Sequence, residues 1–206
     1  MARDRRITIE GIDGAGKSTL ASSLLDALAR RGVDATLLRE PGGVRTAERI
    51  RELVHDPNAT IGPRTEALLY AAARAQLVTE ALEPLLARGS VVLLDRFVDS
   101  SLAYQGGGRE LGVGAIRALN EFATGGLTPD RTLLLVLDAE RGRGRLAARG
   151  APADRLELAS AEFFDRAVST YGELARAHPE RIRTLDAAQA PAVVLADALA
   201  AISDLV

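Results

Sequence analysis

Residues Gly11 to Ser18 read GIDGAGKS and fit the pattern G-x-x-x-x-G-K-[ST]. Glycines at that spacing let the backbone bend so that successive N–H groups point inward at phosphate oxygens, and a helix beginning there adds its partial positive charge. Lys17 then reaches β- and γ-phosphates, and the Ser18 hydroxyl is placed to coordinate a Mg²⁺ that bridges them. The stretch Gly11, Ile12, Asp13, Gly14, Ala15, Gly16, Lys17, Ser18 and Thr19 is therefore the candidate site for the phosphates of ATP. The bland alternative is a glycine-rich turn joining a strand to a helix. Against it, Lys17 is the only lysine of the chain, every other member of the 26 Lys+Arg residues being arginine, and it falls on the motif's lysine position.

A second pair, Asp95-Arg96, closes the apolar run SVVLLD. An acid at the carboxyl end of a strand sits where open α/β folds bind ligands, so Asp95 is a candidate for orienting the metal or its water shell. Arg96 offers a planar fork of donors for a transferring or accepting phosphate. Such a pair is also a common solvated turn. Tyr70 and Arg74 stand four apart in a helical pattern and share a face, so a ring could stack on a base while a guanidinium meets a carbonyl at its edge. The spacing alone favours a Tyr in the core with Arg on the surface.

These groups need a scaffold that brings residues from several chain segments to one edge. The β-type runs RITIE (6–10), DATLLR (34–39), SVVLLD (90–95), RTLLLVLD (131–138) and RIRTLD (181–186) alternate with helix-like stretches such as TEALLYAAARAQLVTEAL. Short, almost wholly apolar strands alternating with helices imply an α/β fold: a doubly wound, five-stranded parallel sheet with helices on both faces. At 206 residues one domain over 1–206 is expected. The stretch 140–155, ERGRGRLAARGAPADR, interrupts the pattern with five arginines and three glycines, as a mobile lid or, on composition alone, a solvated connection.

Composition narrows the function classes. A net charge of −2 provides no broad attraction for nucleic acid, and no apolar run approaches the roughly 20 residues of a membrane span. The chain has no cysteine and two histidines, His55 and His178, far apart in sequence, which excludes disulfides and makes a zinc site improbable. No secretion signal opens the chain, so a cytoplasmic location is expected.

Taken in order, GIDGAGKST, REPGG (39–43), YAAARAQL (70–77), DRF (95–97) and SSLAYQGGGR (100–109) resemble bacterial thymidylate kinase over most of the length. The resemblance implies ATP:dTMP phosphotransfer with Mg²⁺ and a homodimer. It implies that Asp13 serves the sugar 3′-hydroxyl and the metal-phosphate centre, and that Arg51 and Arg96 grip the acceptor's monophosphate. Tyr70 would stack on the base, Arg74 reach a thymine carbonyl, Ser101 and Gln105 line the pyrimidine site, and Tyr104 crowd the 2′ position. Two positions depart from the family's habit: Tyr70 replaces a frequent Phe, and Ser101 a frequent Thr or Asn. With Ile12, Asp13, Gly14 and Ala15 all non-basic, the resemblance places catalytic arginines in the 140–155 lid, Arg149 first, with Arg143, Arg145 and Arg155 as alternatives.

The acceptor phosphate would itself be the nucleophile, so no strong general base is required, in keeping with the absence of a histidine near any motif. The nearest rival is a kinase of another nucleoside monophosphate or of a deoxynucleoside. A GTP-dependent switch would read guanine through Asn-Lys-x-Asp, which a chain whose sole lysine is Lys17 cannot contain. A non-catalytic, partner-binding descendant of the fold is the third.

Overall fold

Each of the five β-type runs becomes a strand in the computed structural model, which describes residues 5–148, 150 and 154–206. They are β1 (Arg5–Glu10), β2 (Ala35–Arg39), β3 (Val91–Asp95), β4 (Arg131–Val136) and β5 (Ile182–Asp186). The sheet order is β2-β3-β1-β4-β5, and every neighbouring pair is parallel, with Ile9 opposite Asp95 and Leu133. The chain leaves β1 toward β2 on one side and later returns to place β4 on the other. That reversal opens a crevice at the carboxyl ends of the central strands, where ligands bind in folds of this class.

Strand side chains alternate between two apolar layers. Ile7, Ile9, Val91, Leu93, Leu133 and Leu135 face a layer that includes α1 (Lys17–Arg30) and α9 (Pro191–Ala201). From α1 come Leu20, Leu24 and Leu28, four residues apart and so on one face, the last two with no exposure at all. Burying each such leucine contributes about 2 kcal/mol, which holds the head of α1 against the end of β1. On the opposite face Val92 and Leu94 pack with Leu77, Leu82, Leu86 and Phe97, and Leu134 with Tyr104, Phe163, Phe164 and Tyr171.

The remaining helices are α2 (Arg45–His55), α3 (Pro63–Leu77), α4 (Glu83–Ala87), α5 (Val98–Ser101), α6 (Val113–Thr124), α7 (Ala139–Ala148) and α8 (Ala161–Ala177). The long helical pattern around Tyr70 is not one α-helix: a π-helical turn, Val78–Leu82, separates α3 from α4. Pro84, at the start of α4, has no N–H for the carbonyl four residues back, and the wider turn absorbs that missing bond.

A second π-helical segment, Leu102–Gly108, carries Tyr104 and Gln105. Its glycines are where α8 approaches closest. A Cβ on Gly107 would stand 2.0 Å from Thr170 Oγ1, and one on Gly108 2.6 Å from the Phe163 ring. The GGG run therefore lets α8 press the π segment toward the crevice. No helix among the described residues is long and apolar enough to cross a membrane.

Candidate active site

The crevice is a cleft of about 850 Å³ with the glycine loop on one side and α2, α3 and the π segment Leu102–Gly108 on the other. Gly16 adopts φ 95, a left-handed conformation that turns the chain directly into α1 at Lys17. Lys17 is only 7% exposed; its Nζ donates to Ile12 O at 2.9 Å and lies 3.7 Å from Asp13. Burial, reinforced by the Arg96 cation, lowers its ammonium pKa to about 8. One residue on, Ser18 Oγ donates to Asp95 Oδ2 at 2.8 Å, so the two oxygen ligands proposed for a metal stand together at the head of α1. Hard oxygen donors of this kind beside a phosphate cradle suit Mg²⁺.

Asp13 is the hinge between the two sides. Its carboxylate accepts from Arg96 Nη2 and, at 3.0 Å, from the Tyr104 hydroxyl. Burial would raise its pKa, but Arg96 and Lys17 outweigh that and hold it well below the usual carboxylate range. Arg96 has φ 73, unusual for a residue with a side chain. It is held there from both ends: its N–H donates to Ile9 O at 3.0 Å, and the next N–H, of Phe97, donates to Glu10 Oε1 at 2.8 Å. The guanidinium donates to Gly11 O and Ser100 Oγ and lies over the Tyr104 ring, 5.1 Å from its centroid.

Across the cleft, Arg74 overturns the spacing-based expectation of a surface arginine, being 2% exposed while Tyr70 is half-buried. Its Nε donates to Glu40 Oε2 at 2.7 Å, Nη1 to Ser101 Oγ at 2.9 Å and to Asn120 Oδ1, and Nη2 to Phe97 O at 3.0 Å. Nη2 also lies 2.6 Å from Glu40 Oε2. Any donation to a base carbonyl is therefore a shared or exchanged bond. Gln105 Nε2 donates to the fully buried Glu66. Arg51, on α2, donates from Nη1 to Pro41 O at 2.9 Å, beside the cis Glu40–Pro41 peptide, and lines the cleft. The structure thus gathers Asp13, Lys17, Ser18, Arg51, Tyr70, Arg74, Asp95, Arg96, Ser101, Tyr104 and Gln105 around one space.

The family model for thymidylate kinase matches residues 9–198. The chain belongs to the thymidylate kinase family. It is 49% identical over 201 residues to the thymidylate kinase of Oenococcus oeni, covering 96% of this chain and 94% of that one. The thymidylate kinase of Pseudomonas syringae pv. syringae is 51% identical over 191 residues, 92% of this chain and 90% of that one. The crystal structure of thymidylate kinase from Ehrlichia chaffeensis superposes with a TM-score of 0.81 at 26% identity, covering 97% and 98% of the two chains. The α/β fold with five parallel strands is the fold of this kinase family.

Within this kinase the arginine-rich stretch 140–155 begins in α7, in spite of two glycines that disfavour helix. It leans on the glycine loop through backbone: a Cβ on Gly14 would stand 2.3 Å from Gly142 O, and one on Gly142 2.8 Å from Asp13 O. Arg145 Nη2 donates to Ala187 O at 2.9 Å, with Nη1 3.5 Å from Gly14 O. Arg143 is exposed, and Arg149 lies outside the described residues. Arg155 points elsewhere, donating to Val54 O at 2.9 Å and Glu66 Oε2 at 2.7 Å.

Several groups lining or supporting the cleft escaped the sequence reading. His55, which no motif flags, stands one helical turn after Arg51 and lines the cleft, its Nδ1 2.7 Å from Asp154 Oδ2, so a histidine does lie at the site. Glu10 is fully buried, accepting from Phe97 N, Ser100 Oγ and the Tyr171 hydroxyl, and burial with Asp99 nearby raises its carboxyl to about 7. Glu40 sits inside REPGG, where burial raises its carboxyl against the pull of Arg74. An acid at a strand end was a usable signal for Glu10, as it was for Asp95.

Proposed function

We propose that this kinase transfers the γ-phosphoryl group of ATP to dTMP, giving dTDP and ADP, a step toward dTTP. One observation carries the reading: a single cleft holds a glycine-loop cradle with its buried lysine and, facing it, a separate pair of guanidinium groups, Arg51 and Arg96. Two anion sites in one cleft are what joining two phosphates demands. Repulsion between the anions is the main barrier, and cations on both sides lower it.

Residues Gly11 to Thr19 would bind the donor phosphates, with Lys17 neutralising charge on the β- and γ-oxygens. Ser18 and Asp95 would hold a Mg²⁺, which when bound neutralises charge across the donor phosphates. Arg51 and Arg96 would grip the acceptor phosphate, whose oxygen attacks without a base, and Asp13 would set Arg96 through their ion pair. Tyr70 would stack on thymine, Arg74 meet its carbonyl in exchange for Ser101, Gln105 line the base edge and Tyr104 crowd the 2′ position. In the lid, Arg149 is the first choice for the arginine that closes over the transferring group. Arg145 is the alternative supported by its place over the glycine loop. A closing lid would also exclude water and suppress ATP hydrolysis.

The same reading gives a single domain acting in the cytoplasm as a homodimer. The dimer is supported by exposed apolar residues on packed helices: Leu53 on α2, Leu68 on α3 and Phe122, 89% exposed, on α6. The experiment is a coupled ADP-release assay with dTMP, uridylate, cytidylate and deoxyguanylate as acceptors. Turnover dominated by dTMP is expected; preference for another monophosphate, or ADP release indifferent to acceptor, overturns the reading.

A further inference from the structure

Glu66 takes no part in the phosphate chemistry, yet it is a fully buried carboxylate behind Gln105 on the acceptor side, in the first turn of α3. Four donors converge on it. Gln105 Nε2 lies at 2.9 Å and Arg109 Nε at 3.1 Å from Oε1, and Arg109 Nη2 at 3.0 Å and Arg155 Nη2 at 2.7 Å from Oε2. Burial pushes its carboxyl up, but these donors outweigh it and hold it below the ordinary glutamate range, so it stays ionised.

An ionised carboxylate has only acceptors. The amide of Gln105 can therefore face Glu66 only with its NH₂ end. Gln105 is 2% exposed and lines the cleft, so its carbonyl oxygen is the end left toward the ligand. A free glutamine offers a base either a donor or an acceptor; this one is restricted to an acceptor.

We propose that Glu66 is a specificity-determining positioning residue: by fixing the Gln105 amide with its oxygen toward the cleft, it selects a pyrimidine with a protonated ring N3 and rejects cytosine. Thymine N3–H donates to that oxygen. Cytosine N3 is an acceptor, and two lone pairs then meet. The inference rests on Gln105 lining the base site. Arg155, at the end of the 140–155 stretch, also donates to this carboxylate, and whatever loss of that contact does falls equally on every acceptor and cancels in a ratio.

The test is the ratio of kcat/KM for dTMP to that for dCMP in the wild type, Glu66→Gln, Gln105→Met and the double variant. In Glu66→Gln the new amide can accept or donate, which frees Gln105 to turn over and offer N–H to cytosine. The ratio is expected to fall on the order of tenfold, the worth of one mispaired buried hydrogen bond, through KM for the monophosphate with KM for ATP unchanged. Gln105→Met is expected to lose at least as much, and adding Glu66→Gln to it nothing further. A wild-type ratio in Glu66→Gln beside a collapsed ratio in Gln105→Met overturns the role of Glu66 alone. A wild-type ratio in Gln105→Met overturns the base-site reading beneath it. A measurement on unaltered enzyme guards against a variant that does not fold: the dTMP analogue with C–H in place of N3–H should be used about tenfold less efficiently, and equal use overturns the proposal.

Discussion

The two walls of the cleft are built from different materials. The donor wall is nine consecutive residues, Gly11 to Thr19, whose binding groups are mostly backbone N–H, with one lysine and one serine added. The acceptor wall draws side chains from Glu40 to Gln105 and is backed by charge in pairs: Arg74 with Glu40, and Arg109 and Arg155 with Glu66. On the first wall Lys17 lies 3.7 Å from Asp13, and the backbone N–H groups add no charge that the fold must bury. The pairs of the second are already balanced within the protein, so recognition and folding use the same bonds there. A change on the donor wall should remove chemistry and spare stability, whereas a change on the acceptor wall should damage both.

The largest effect is expected from Lys17→Ala, which should lower turnover by roughly a hundredfold or more, as losing a buried charge aimed at the reacting phosphates does. Its unfolding midpoint in urea should stay close to that of the parent. Normal turnover would remove the donor wall from the chemistry, and a large loss of stability would erase the contrast between the walls.

Arg74→Ala should raise KM for dTMP far more than KM for ATP, and should also destabilise by about 3–5 kcal/mol, because Glu40 is left buried without its partner. Urea unfolding together with steady-state kinetics reads both. A kinetic defect with full stability would mean that the Arg74–Glu40 pair is dispensable to the fold and the walls differ less than argued.

The smallest effect concerns Glu10, which sits beneath both walls. Its carboxyl is raised to about 7 in the folded state from 4.5. Between those values the native protein keeps a proton that the unfolded chain releases, so this group makes stability fall as pH rises through that window and contributes no further change above it. Glu10→Gln should flatten the pH dependence of the unfolding free energy from urea titrations there by on the order of 3 kcal/mol. An unchanged slope would show that Glu10 is ionised in the native state.

The donor wall and the sheet could be read from sequence because their signals are local: a glycine-lysine pattern between a strand and a helix, and apolar runs of strand length. The acceptor wall could not be read the same way. Four-residue spacing put Tyr70 and Arg74 on one face but misjudged which would be buried, because the acceptors that hold Arg74 inside, Glu40 and Asn120, are 34 and 46 residues away. Resemblance pointed to Arg74 and Gln105 without revealing Glu66 behind Gln105, since a glutamate in the first turn of a helix looks like any other favourable end charge. His55 was passed over for the same reason, its partner Asp154 being 99 residues along the chain.

The solitary lysine has a practical side. Its amine is the only side-chain amine in the protein, it lies at the floor of the cleft, and with its pKa lowered to about 8 a sizeable fraction is unprotonated in mildly alkaline buffer. Reagents that acylate lysine, which on most enzymes scatter across the surface, have here one side-chain target, and occupancy of that target reports directly on whether the phosphate cradle is filled.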